Sequence, residues 1–479
     1  MNNTLVINNK DNVAVLLEGI ENIEIGHKIA LRDINEGELI IKYGETIGIA
    51  TCNIKKGEWV HTHNCFTNLN STFTYTYNKT NFTTPTLIDT PKLYGYYRKN
   101  NKVGIRNELW IITTVGCVNS IATIIKNKFM KAHGNTSFFD GIYTITHPYG
   151  CSQMGDDLKY TSKILKNIAT HPNAGGVLIL GLGCENNNIE YFKENFTDYD
   201  ENRIRFLNSQ DEDYEIEKGI SFLEELYENL KSDIRKPISL KDITIGVKCG
   251  GSDAFSGITS NPLVGKISDR IVAAGGSIIM GEVPEMFGSE HILMNRAKDI
   301  NIFNKIVDMI NSFKSYFTNN NVVVYDNPSP GNKKGGITTL EEKSLGCIQK
   351  CGKFPINYVL DYGEKISTCG VNLLNTPGND LVATTALGAS GAQLVLFTTG
   401  RGTPFGTFIP TIKISSNSPL YNKKKSWIDF NAGEVLNNPI ENIEHELFTL
   451  ICNIINGDKT LSEEFDNREI AIFKTGVTL

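Results

Sequence analysis

Residues 141–170 read GIYTITHPYGCSQMGDDLKYTSKILKNIAT, which is a short β-type run, a Gly/Cys turn and a helical segment in direct succession. The same order of strand, turn and helix recurs in three further stretches, at 108–134, 175–196 and 203–235. Alternation of this kind is typical of a parallel sheet with helices on both faces. The pattern predicts an α/β, Rossmann-like domain, which we place at residues 93–236.

A second α/β series begins after a break at Lys236-Pro237, with the strand-like run ITIGVKCGG at 243–251. A helical segment through ISDRIVAAGG follows, and the runs GSIIMGEV and AQLVLFTTG add later strands. The region from Asn319 to Cys369 is harder to interpret. Together these runs predict a second Rossmann-like α/β domain over residues 237–479.

The start of the chain has a different pattern. Short β-type runs, VAVLL, HKIAL, ELIIKY and WVHTH, are separated by Gly and Asn/Asp turns. This spacing is typical of a small all-β domain. A Thr/Asn-rich stretch from Asn70 has the composition of an extended linker. We therefore expect an all-β head at residues 1–77 and a linker at 78–92.

The composition excludes several classes of function. Of the 479 residues, 40% are hydrophobic and 21% are charged, as in folded globular proteins, and the formal net charge is −6. No stripe of Lys and Arg stands out, so we expect no nucleic-acid partner. The longest apolar run, AGGVLILGLGC, is too short to cross a bilayer, and MNNTLVINNKDN lacks the features of a secretory signal. We therefore expect no membrane partner.

The ten cysteines are expected to be thiols or metal ligands, because a disulfide framework belongs to shorter, secreted chains. This expectation predicts a reducing, cytoplasmic location. Cys347 and Cys351 are spaced i, i+4 in EEKSLGCIQKCG, but no second pair lies nearby, so a core position is favoured over a zinc site. No function is assigned to Cys52, Cys65, Cys369 or Cys452.

Three Gly/Cys turns follow β-type runs, at the strand ends where open α/β sheets bind ligands. Their sequences are HPYGCSQMGDD, GLGCEN and KCGGSDAFSG. Glycine lets the backbone approach a ligand closely, and Cys, His or carboxylate side chains coordinate metals such as iron or zinc. A tight turn with a buried cysteine explains any one of these turns about equally well. Three such turns favour a metal or ligand site.

Other polar groups are candidates for acid–base chemistry. His61 and His63 in WVHTHN share one face of a strand and can point towards a ligand, although two surface histidines give the same pattern. Glu282 and Glu285 in GEVPEMFG follow a strand end, where either can transfer a proton or bind a metal. The sequence contains no phosphate loop and no G-x-S-x-G elbow, which disfavours nucleotide binding and serine hydrolysis.

Three arginines are candidates for binding an anion, because a guanidinium can hold a carboxylate with two hydrogen bonds. Arg98 and Arg106, which precedes Asn107, lie before the first α/β strand. Arg401 follows a late strand in TTGRGTPFG, between glycines. A structural ion pair explains each arginine equally well. Asp253, in the third Gly/Cys turn, is either a ligand-binding group or the N-cap of the next helix.

Together these motifs resemble those of the altronate and galactarate dehydratase family. The resemblance rests on HPYGCSQMGDD, GLGCEN, KCGGSDAFSGITSNP, GEVPEMFGSEHIL, TTGRGTPFG and SWIDFNAG, and covers nearly the whole chain. The head, with GHKIALRDI, IKYGETIG and WVHTHN, is similar to the β-clip SAF domain that opens these enzymes. The resemblance implies iron-activated removal of water from an aldonic or aldaric acid, giving a 2-keto-3-deoxy acid, with altronate favoured over galactarate.

The residue chemistry, taken together with the reaction that the resemblance implies, suggests roles for the candidate residues. Cys151, Cys184 and Cys249, with His147 as an alternative ligand, are expected to hold Fe²⁺, with Mn²⁺ or an iron–sulfur centre as alternatives. The candidate acid–base groups are His61, His63, Lys248 and Glu282. The residues expected to bind the sugar acid are Arg98, Arg106, Asn107, Ser252, Asp253 and Arg401.

Two other interpretations stay open. Galactarate, or a sulfo-acid such as sulfolactate, is a rival substrate for the same scaffold. A non-catalytic sugar-acid or metal-binding protein with this fold would bind its ligand without forming product. The sequence also leaves open whether the chain assembles into a homo-oligomer.

Overall fold

A computed structural model describes residues 3–20, 22–69, 74–82, 91–99, 102–133, 136, 138–194, 196 and 199–476. The strands are β1 (Thr4–Leu5), β2 (Val13–Leu16), β3 (Lys28–Ala30), β4 (Leu39–Lys42), β5 (Glu45–Ala50), β6 (Trp59–Val60), β7 (Cys65–Phe66), β8 (Leu93–Tyr97), β9 (Val103–Gly104), β10 (Glu108–Thr113), β11 (Ile142–Ile145), β12 (Ala174–Gly181), β13 (Ile204–Asn208), β14 (Lys236–Ile238), β15 (Thr244–Cys249), β16 (Ser277–Met280), β17 (Ile356–Leu360), β18 (Gly370–Leu374), β19 (Leu394–Thr399), β20 (Thr411–Ser415) and β21 (Phe430–Asn431).

The α-helices are α1 (Asn119–Ala132), α2 (Gly155–Ala169), α3 (Ile189–Lys193), α4 (Glu215–Leu230), α5 (Ser260–Ala273), α6 (Glu290–Asn295), α7 (Ile300–Asn319), α8 (Pro330–Lys334), α9 (Leu340–Cys347), α10 (Asp380–Ala389), α11 (Ser418–Lys423), α12 (Ile440–Asn456) and α13 (Leu461–Glu464). In the described part of the chain, no helix combines the length and the apolar character that a membrane span requires.

The head consists of two small antiparallel sheets, with strand orders β1-β2-β3-β6 and β4-β5-β7. Apolar side chains from both sheets, among them Ile40, Ile47 and Val60, form one buried core. Leu345, on α9 of the C-terminal region, belongs to the same core. The all-β head predicted from the sequence is confirmed, and it is packed against α9.

Residues 74–82, which follow the head, lie along the C-terminal region. The Tyr75 hydroxyl donates to Glu290 Oε1 at 2.8 Å, and the Tyr77 hydroxyl donates to Ala297 O at 2.6 Å. Within the linker predicted at 78–92, residues 83–90 lie outside the described residues. The start of the predicted linker is docked beside these two tyrosines, since Asn78 N donates to Asn295 Oδ1 at 2.9 Å and Lys79 Nζ donates to Lys298 O at 2.8 Å.

The second domain contains a parallel sheet with strand order β11-β10-β12-β13. Successive residues of β10 alternate between its two faces. Leu109 and Ile111 pack in one core with α1 and α4, whereas Trp110 and Ile112 pack in another core with α2. Because both faces are buried, the strand is apolar along its length, as expected of a parallel sheet. The α/β character predicted from the alternating pattern is confirmed.

The C-terminal domain contains a parallel sheet with strand order β17-β18-β16-β15-β19-β20-β21. The central strand β15 has β16 on one side and β19 on the other, so the strand order reverses beside β15. In open α/β sheets, ligands bind beyond the carboxyl ends of the strands at such a reversal. Since β15 ends at Cys249, the third Gly/Cys turn lies at this position.

The second and C-terminal domains are joined by more than the chain connection. A small antiparallel sheet, β14-β8-β9, spans the break predicted at Lys236-Pro237. The core that contains Trp110 also includes Leu387 of α10. The last described residues return to the second domain, where Thr475 N and Gly476 N donate to Asp157 at 2.8 Å and 2.7 Å.

Candidate functional site

Cys249, Glu285 and Cys347 bring three metal-binding side chains together at the carboxyl edge of the C-terminal sheet. Cys249 ends β15, Glu285 lies in the turn after β16, and Cys347 ends α9. The two Sγ atoms are 3.2 Å apart, and Glu285 Oε2 lies 3.4 Å from Cys249 Sγ and 3.1 Å from Cys347 Sγ. Among the described residues, this buried triad is the one group of three or more Cys, His, Asp or Glu side chains whose ligand atoms lie within 4.8 Å of one another.

Two buried lysines balance the negative charge of the triad. Lys350 Nζ donates to Cys249 Sγ at 2.9 Å, and Lys343 Nζ pairs with Glu285 Oε1 at 2.8 Å. The hydrogen bond from the Cys347 thiol lowers the pKa of Cys249; burial opposes this effect, and the Lys350 ammonium lowers the pKa further. The same hydrogen bond, together with burial, raises the pKa of Cys347. The two shifts have opposite signs, so Cys249 is the more acidic thiol of the pair.

Glu282 lies beside the triad in a strained conformation. Its backbone has φ 67° and ψ 52°, the left-handed region that few residues other than glycine adopt. Oε1 accepts a hydrogen bond from Lys248 Nζ at 2.5 Å, and Oε2 accepts one from Cys249 N at 3.2 Å. Burial raises the pKa of Glu282, and the Lys248 ammonium opposes the rise. Burial opposes the charged form of Lys248, but Glu282 and Asp380 outweigh it and raise the pKa of Lys248, which is therefore a cation.

The head is attached to the triad's helix by a buried ion-pair network. Glu342 on α9 binds Lys28 Nζ at 2.9 Å and Lys42 Nζ at 2.8 Å, and these three side chains are at most 1% exposed. Burial opposes ionisation of Glu342, but the two ammonium groups outweigh it and lower its pKa to about 2. Because Cys347 lies on the same helix, the head is held directly beside the triad.

Trp59, His61 and His63 form an aromatic cluster next to this network. The Trp59 ring lies 5.3 Å from His61, stacked on it, and 5.0 Å from His63. His61 Nδ1 is 3.2 Å from Thr338 Oγ1, to which Lys28 Nζ donates. Burial and the Lys28 ammonium lower the pKa of His61 to about 4, so its ring is neutral at pH 7.

The expected common strand face of His61 and His63 is not found. Strand β6 ends at Val60, and residues 61–64 form a turn. His61 is buried, whereas His63 is exposed. A turn breaks the alternation on which the argument for a shared face depended.

A small cavity lies between the head and the C-terminal domain. Its volume is about 10 Å³, which is about the space that one water molecule needs. Its lining includes Tyr43 from the head and Ser252, Lys343 and Cys347 from the C-terminal domain. Ser252 Oγ is buried without a hydrogen-bond partner in the structure. Because buried polar groups are nearly always satisfied, this hydroxyl is suited to binding a ligand.

Arg401 lies at the reversal of strand order, beside the third Gly/Cys turn. It follows β19, and its backbone N donates to Gly251 O at 2.9 Å. Its side chain is exposed. No acidic partner lies within 4.0 Å of its guanidinium in the described part of the chain. An exposed guanidinium beside a glycine turn is suited to binding a carboxylate.

Asp253 is occupied by the fold. Its Oδ1 accepts hydrogen bonds from Ser416 Oγ at 2.7 Å and Ser256 N at 2.9 Å, and its Oδ2 accepts one from Asn417 Nδ2 at 2.9 Å. These contacts organise the turn before α5. Of the two roles considered for Asp253, the geometry favours a structural one, although Ser256 N precedes the helix and the contact is not a helix N-cap.

Arg98, Arg106 and Asn107 are also occupied by internal partners. Arg106 is buried, and its Nε binds Glu463 Oε1 at 2.8 Å. Arg98 pairs with Asp233 at 3.1 Å and donates to Asn107 Oδ1 at 2.8 Å. These contacts bind the second domain to the C-terminal segment and organise its first strand. They give the three residues structural roles.

His147 is engaged by the backbone on both ring nitrogens. Nε2 lies 2.8 Å from Thr113 O, and Nδ1 accepts a hydrogen bond from Tyr149 N at 3.1 Å. Burial lowers the pKa of His147 to about 4, so the ring is neutral. With both nitrogens occupied, the ring positions the turn that contains Cys151 and has no free nitrogen for a metal.

Cys151 and Cys184 are not brought to Cys249. They lie after β11 and β12 of the second domain, whereas Cys249 ends a strand of the other sheet. Both are exposed free thiols. The three Gly/Cys turns therefore belong to two different strand edges, and a single metal centre shared by these three cysteines is not formed.

Sequence reasoning did not assign Cys347, Lys343 or Lys350 to the site. Cys351, which was considered together with Cys347, does lie in the core, and its thiol donates to Ile348 O at 3.0 Å. The stretch EEKSLGCIQK could have indicated these residues, because it contains many charged residues and has no apolar stripe. In the structure, every residue of α9 is nevertheless buried. Charged residues on every face of a short helix indicate a buried polar network.

Three protein-family models match the chain in the order of its domains. The Altronate/galactarate dehydratase SAF domain matches residues 16–68, the D-galactarate dehydratase/Altronate hydrolase second domain matches 95–231, and the D-galactarate/Altronate dehydratase C-terminal domain matches 240–478.

Three curated relatives match over nearly the full length. The altronate dehydratase of Bacillus subtilis (strain 168) is 50% identical over 467 residues, which cover 97% of this chain and 94% of that protein. The altronate dehydratase of Escherichia coli (strain K12) is 48% identical over 470 residues, covering 98% and 94%. The galactarate dehydratase (L-threo-forming) of Escherichia coli (strain K12) is 31% identical over 484 residues, covering 95% and 91%.

Proposed function

Because the chain belongs to the altronate and galactarate dehydratase family, we propose that it removes water from D-altronate to give 2-dehydro-3-deoxy-D-gluconate. The family resemblance expected from the motifs is confirmed, and it makes the chain an enzyme of the carbon–oxygen lyase class. The observation that carries the choice of substrate is the near full-length similarity to two altronate dehydratases, which exceeds the similarity to a galactarate dehydratase.

The reaction sets clear chemical demands on the site. A base takes the proton from C2, the C3 hydroxyl leaves with a proton as water, and the resulting C2–C3 enol becomes the 2-ketone when O2 releases its proton and C3 takes one up. The C2 proton is weakly acidic because its removal adds a second negative charge to the substrate carboxylate, which gives a dianion. Fixed positive charge must therefore stabilise that dianion in a water-poor site.

The residues of the triad fit a divalent metal. Two sulfur atoms and one carboxylate oxygen form a donor set suited to iron or zinc, and Lys343, Lys248 and Lys350 outweigh burial to hold the pKa of Glu285 below its usual value. We propose that Cys249, Glu285 and Cys347 hold Fe²⁺, with Mn²⁺ as an alternative. A bound divalent cation supplies Lewis-acid stabilisation of negative charge on oxygen.

The protein's own charges supply the rest of the electrostatic environment. Lys248 and Lys350 are buried cations beside the triad, and they can stabilise the dianion without reorganising. We assign Arg401 to the substrate carboxylate, because its guanidinium is exposed at the glycine turn. We assign the unpartnered Ser252 hydroxyl to a substrate hydroxyl group.

Glu282 is our proposed base for the C2 proton. It is a buried carboxylate next to Cys249, and burial raises its pKa towards the range that suits proton transfer near neutral pH. Lys248 is less suited to this role because it is already protonated. His61, which is neutral and lies beside Thr338 of the C-terminal domain, is the head's candidate for a second proton-transfer group. His63 is a weaker candidate because it is exposed.

Substrate entry requires a change in how the head and the C-terminal domain are docked. The cavity between them has room for about one water molecule, whereas a six-carbon acid needs far more. We propose that the head and α9 separate to admit the sugar acid and that their closure excludes water from the reaction.

The test is an assay of anaerobically purified, Fe²⁺-loaded protein with D-altronate, galactarate, gluconate and sulfolactate, measuring 2-keto acid formation. We expect turnover of altronate well above that of the other acids, and loss of turnover after chelation. Turnover of galactarate with none of altronate would overturn the choice of substrate. Tight binding of altronate with no keto acid from any compound would favour the non-catalytic binding protein.

A further inference from the structure

We propose that the second domain carries an iron–sulfur cluster held by Cys117, Cys151 and Cys184. These residues follow three different strands of one parallel sheet: Cys117 comes after β10, Cys151 after β11 and Cys184 after β12. All three are exposed free thiols. The sequence motifs drew attention to the second and third of them, whereas Cys117 is brought to the same edge by the fold.

The topology of the sheet places these cysteines where a ligand is expected. Strand β10 lies between β11 and β12, so the strand order reverses between β10 and β12. Open α/β sheets bind ligands beyond the carboxyl ends of the strands at such a reversal. The triad occupies this position in the C-terminal sheet, and the three exposed cysteines occupy it in the second domain.

The three loops are hydrogen-bonded to one another next to the cysteines. Gly116 N donates to Tyr149 O at 2.9 Å, which joins the Cys117 loop to the Cys151 loop. Asn187 N donates to Gly150 O at 3.0 Å, and Ser152 N donates to Asn186 Oδ1 at 2.7 Å, which join the Cys151 loop to the Cys184 loop. The loops therefore form one rigid support for three thiols.

Close backbone contact holds the central loop in place. Gly150 has φ +102°, and a Cβ atom at this position would lie 2.0 Å from Thr114 O. Ser152, on the other side of Cys151, also has a positive φ of 58°. A non-glycine residue held in the left-handed region beside a ligand-type side chain is a common feature of binding sites. Cys151 is thus presented by a backbone that the fold constrains on both sides.

Three thiols presented on three loops are a donor set suited to an iron–sulfur cluster. A tetrahedral ion with metal–sulfur bonds of about 2.3 Å requires ligand sulfurs within roughly 4 Å of one another. Within the described residues, the three Sγ atoms do not form a group with all distances below 4.8 Å, in contrast to the triad. A cluster with several iron atoms accepts cysteine ligands that are farther apart, and it is held by thiolates.

This inference does not rest on the proposed function, because its residues lie in a different domain from the triad. Three cysteines from these loops would leave one iron of a four-iron cluster without a cysteine from the described set. The ligand class is therefore iron with inorganic sulfide, bound through three deprotonated thiols.

The test is reconstitution of the full chain under anaerobic conditions with ferric iron, sulfide and dithiothreitol. We expect about four iron and four sulfide per chain, broad visible absorption, and an electron paramagnetic resonance signal after reduction. Cys117→Ser, Cys151→Ser and Cys184→Ser are each expected to lose at least half of the bound sulfide. Cys369→Ser, which changes an exposed free thiol elsewhere, is the matched control and should retain the cluster.

A variant of the triad distinguishes the proposed cluster in the second domain from the proposed metal site in the C-terminal domain. Cys347→Ser is expected to keep the absorption and the sulfide of the second domain, whatever its activity. Circular dichroism checks that all variants are folded, which is expected of the second-domain variants because their replaced thiols are exposed. Absence of bound sulfide in the unmodified chain, binding of only one iron, or an unchanged cluster in all three second-domain variants would each overturn the proposal.

Discussion

Cys249 and Cys347 lie with their Sγ atoms 3.2 Å apart, although 98 positions separate them in the chain. One thiol is at the end of a central strand and the other at the end of a buried helix. Lys350 Nζ donates to Cys249 Sγ at 2.9 Å, and this ammonium helps to lower the pKa of Cys249. A carboxylate lies beside the two sulfur atoms in this buried site. The arrangement forms only when β15, the turn after β16 and α9 are all in place.

Glu342→Gln is expected to lower the free energy of unfolding by about 3–5 kcal/mol, because it leaves the buried ammonium groups of Lys28 and Lys42 without a carboxylate. Urea unfolding, followed by circular dichroism, measures the change. Asp33→Asn is the matched control, because it removes an exposed ion pair with Lys55 and should have no measurable effect. Equal stability of the two variants would show that the head is not held by this network.

Acid is expected to destabilise the fold through buried neutral histidines, among them His147 and His171. Burial lowers the pKa of His147 to about 4 and of His171 to about 3, against 6.5 in the unfolded chain. Because the unfolded state binds more protons below that value, stability should fall as the pH drops from about 6.5 towards 4. Across this range, the unfolding free energy should depend less steeply on pH in His171→Asn than in the unmodified chain, whereas His445→Asn, at an exposed site, should leave the slope unchanged.

A steep acid dependence in the His171→Asn variant, equal to that of the unmodified chain, would contradict this account. The carboxylate network works in the same direction at lower pH. The folded-state pKa of Glu342 is about 2, below its usual value, so its contribution is present above the usual value and is lost as the pH falls towards 2.

Local patterns predicted most of the fold. The apolar run of β12 and the helical segment after it are evident in the sequence because both faces of a parallel strand are buried and the following helix is amphipathic. The turn at residues 61–64 was not evident in the sequence, because WVHTHN also fits the alternating pattern of a strand. The strand that spans the predicted break, β14, pairs with β8, which lies far away in the chain and leaves no local signal.

The site was predicted only in part, for a related reason. Cys249 and Glu285 each follow a strand, and strand ends can be read from the sequence. Cys347 lies on a helix, and what makes it part of the site is contact with residues far away in sequence. The roles of Arg106 and Arg401 could not be distinguished from the sequence. Arg106 is buried and Arg401 is exposed, but the residues next to them in sequence do not reveal this difference.

Gly150→Ala is expected to lower the free energy of unfolding by more than an alanine at a glycine that has a positive φ but open space around it. At Gly37, with φ +81° and open space around it, alanine should cost about 1 kcal/mol for the strained backbone. At Gly150, the added methyl group would also overlap Thr114 O, so the loss should be at least about twice as large. Comparing urea midpoints of the two variants gives the difference, and equal losses would argue against a tight contact between the loops.

Arg401→Gln is expected to reduce kcat/KM for altronate by about 10- to 100-fold, since a charged hydrogen bond to the carboxylate is lost. Stability should be unchanged, because the guanidinium is exposed and has no acidic partner in the described structure. Arg205→Gln, which removes a surface ion pair with Glu225, is the matched control and should retain full activity. Normal kinetics in Arg401→Gln would remove it from the proposed site.

The central claim is that Cys249, Glu285 and Cys347 hold the metal on which dehydration depends, and a comparison of Cys347→Ser with Cys351→Ser tests it most directly. Bound Fe²⁺ and altronate turnover are measured on anaerobically prepared protein. The account predicts that Cys347→Ser loses metal affinity and turnover by more than about 100-fold, because replacing a residue that only supports a ligand already costs 10- to 100-fold. It also predicts that Cys351→Ser keeps both. Full iron binding and normal turnover in Cys347→Ser would contradict the account.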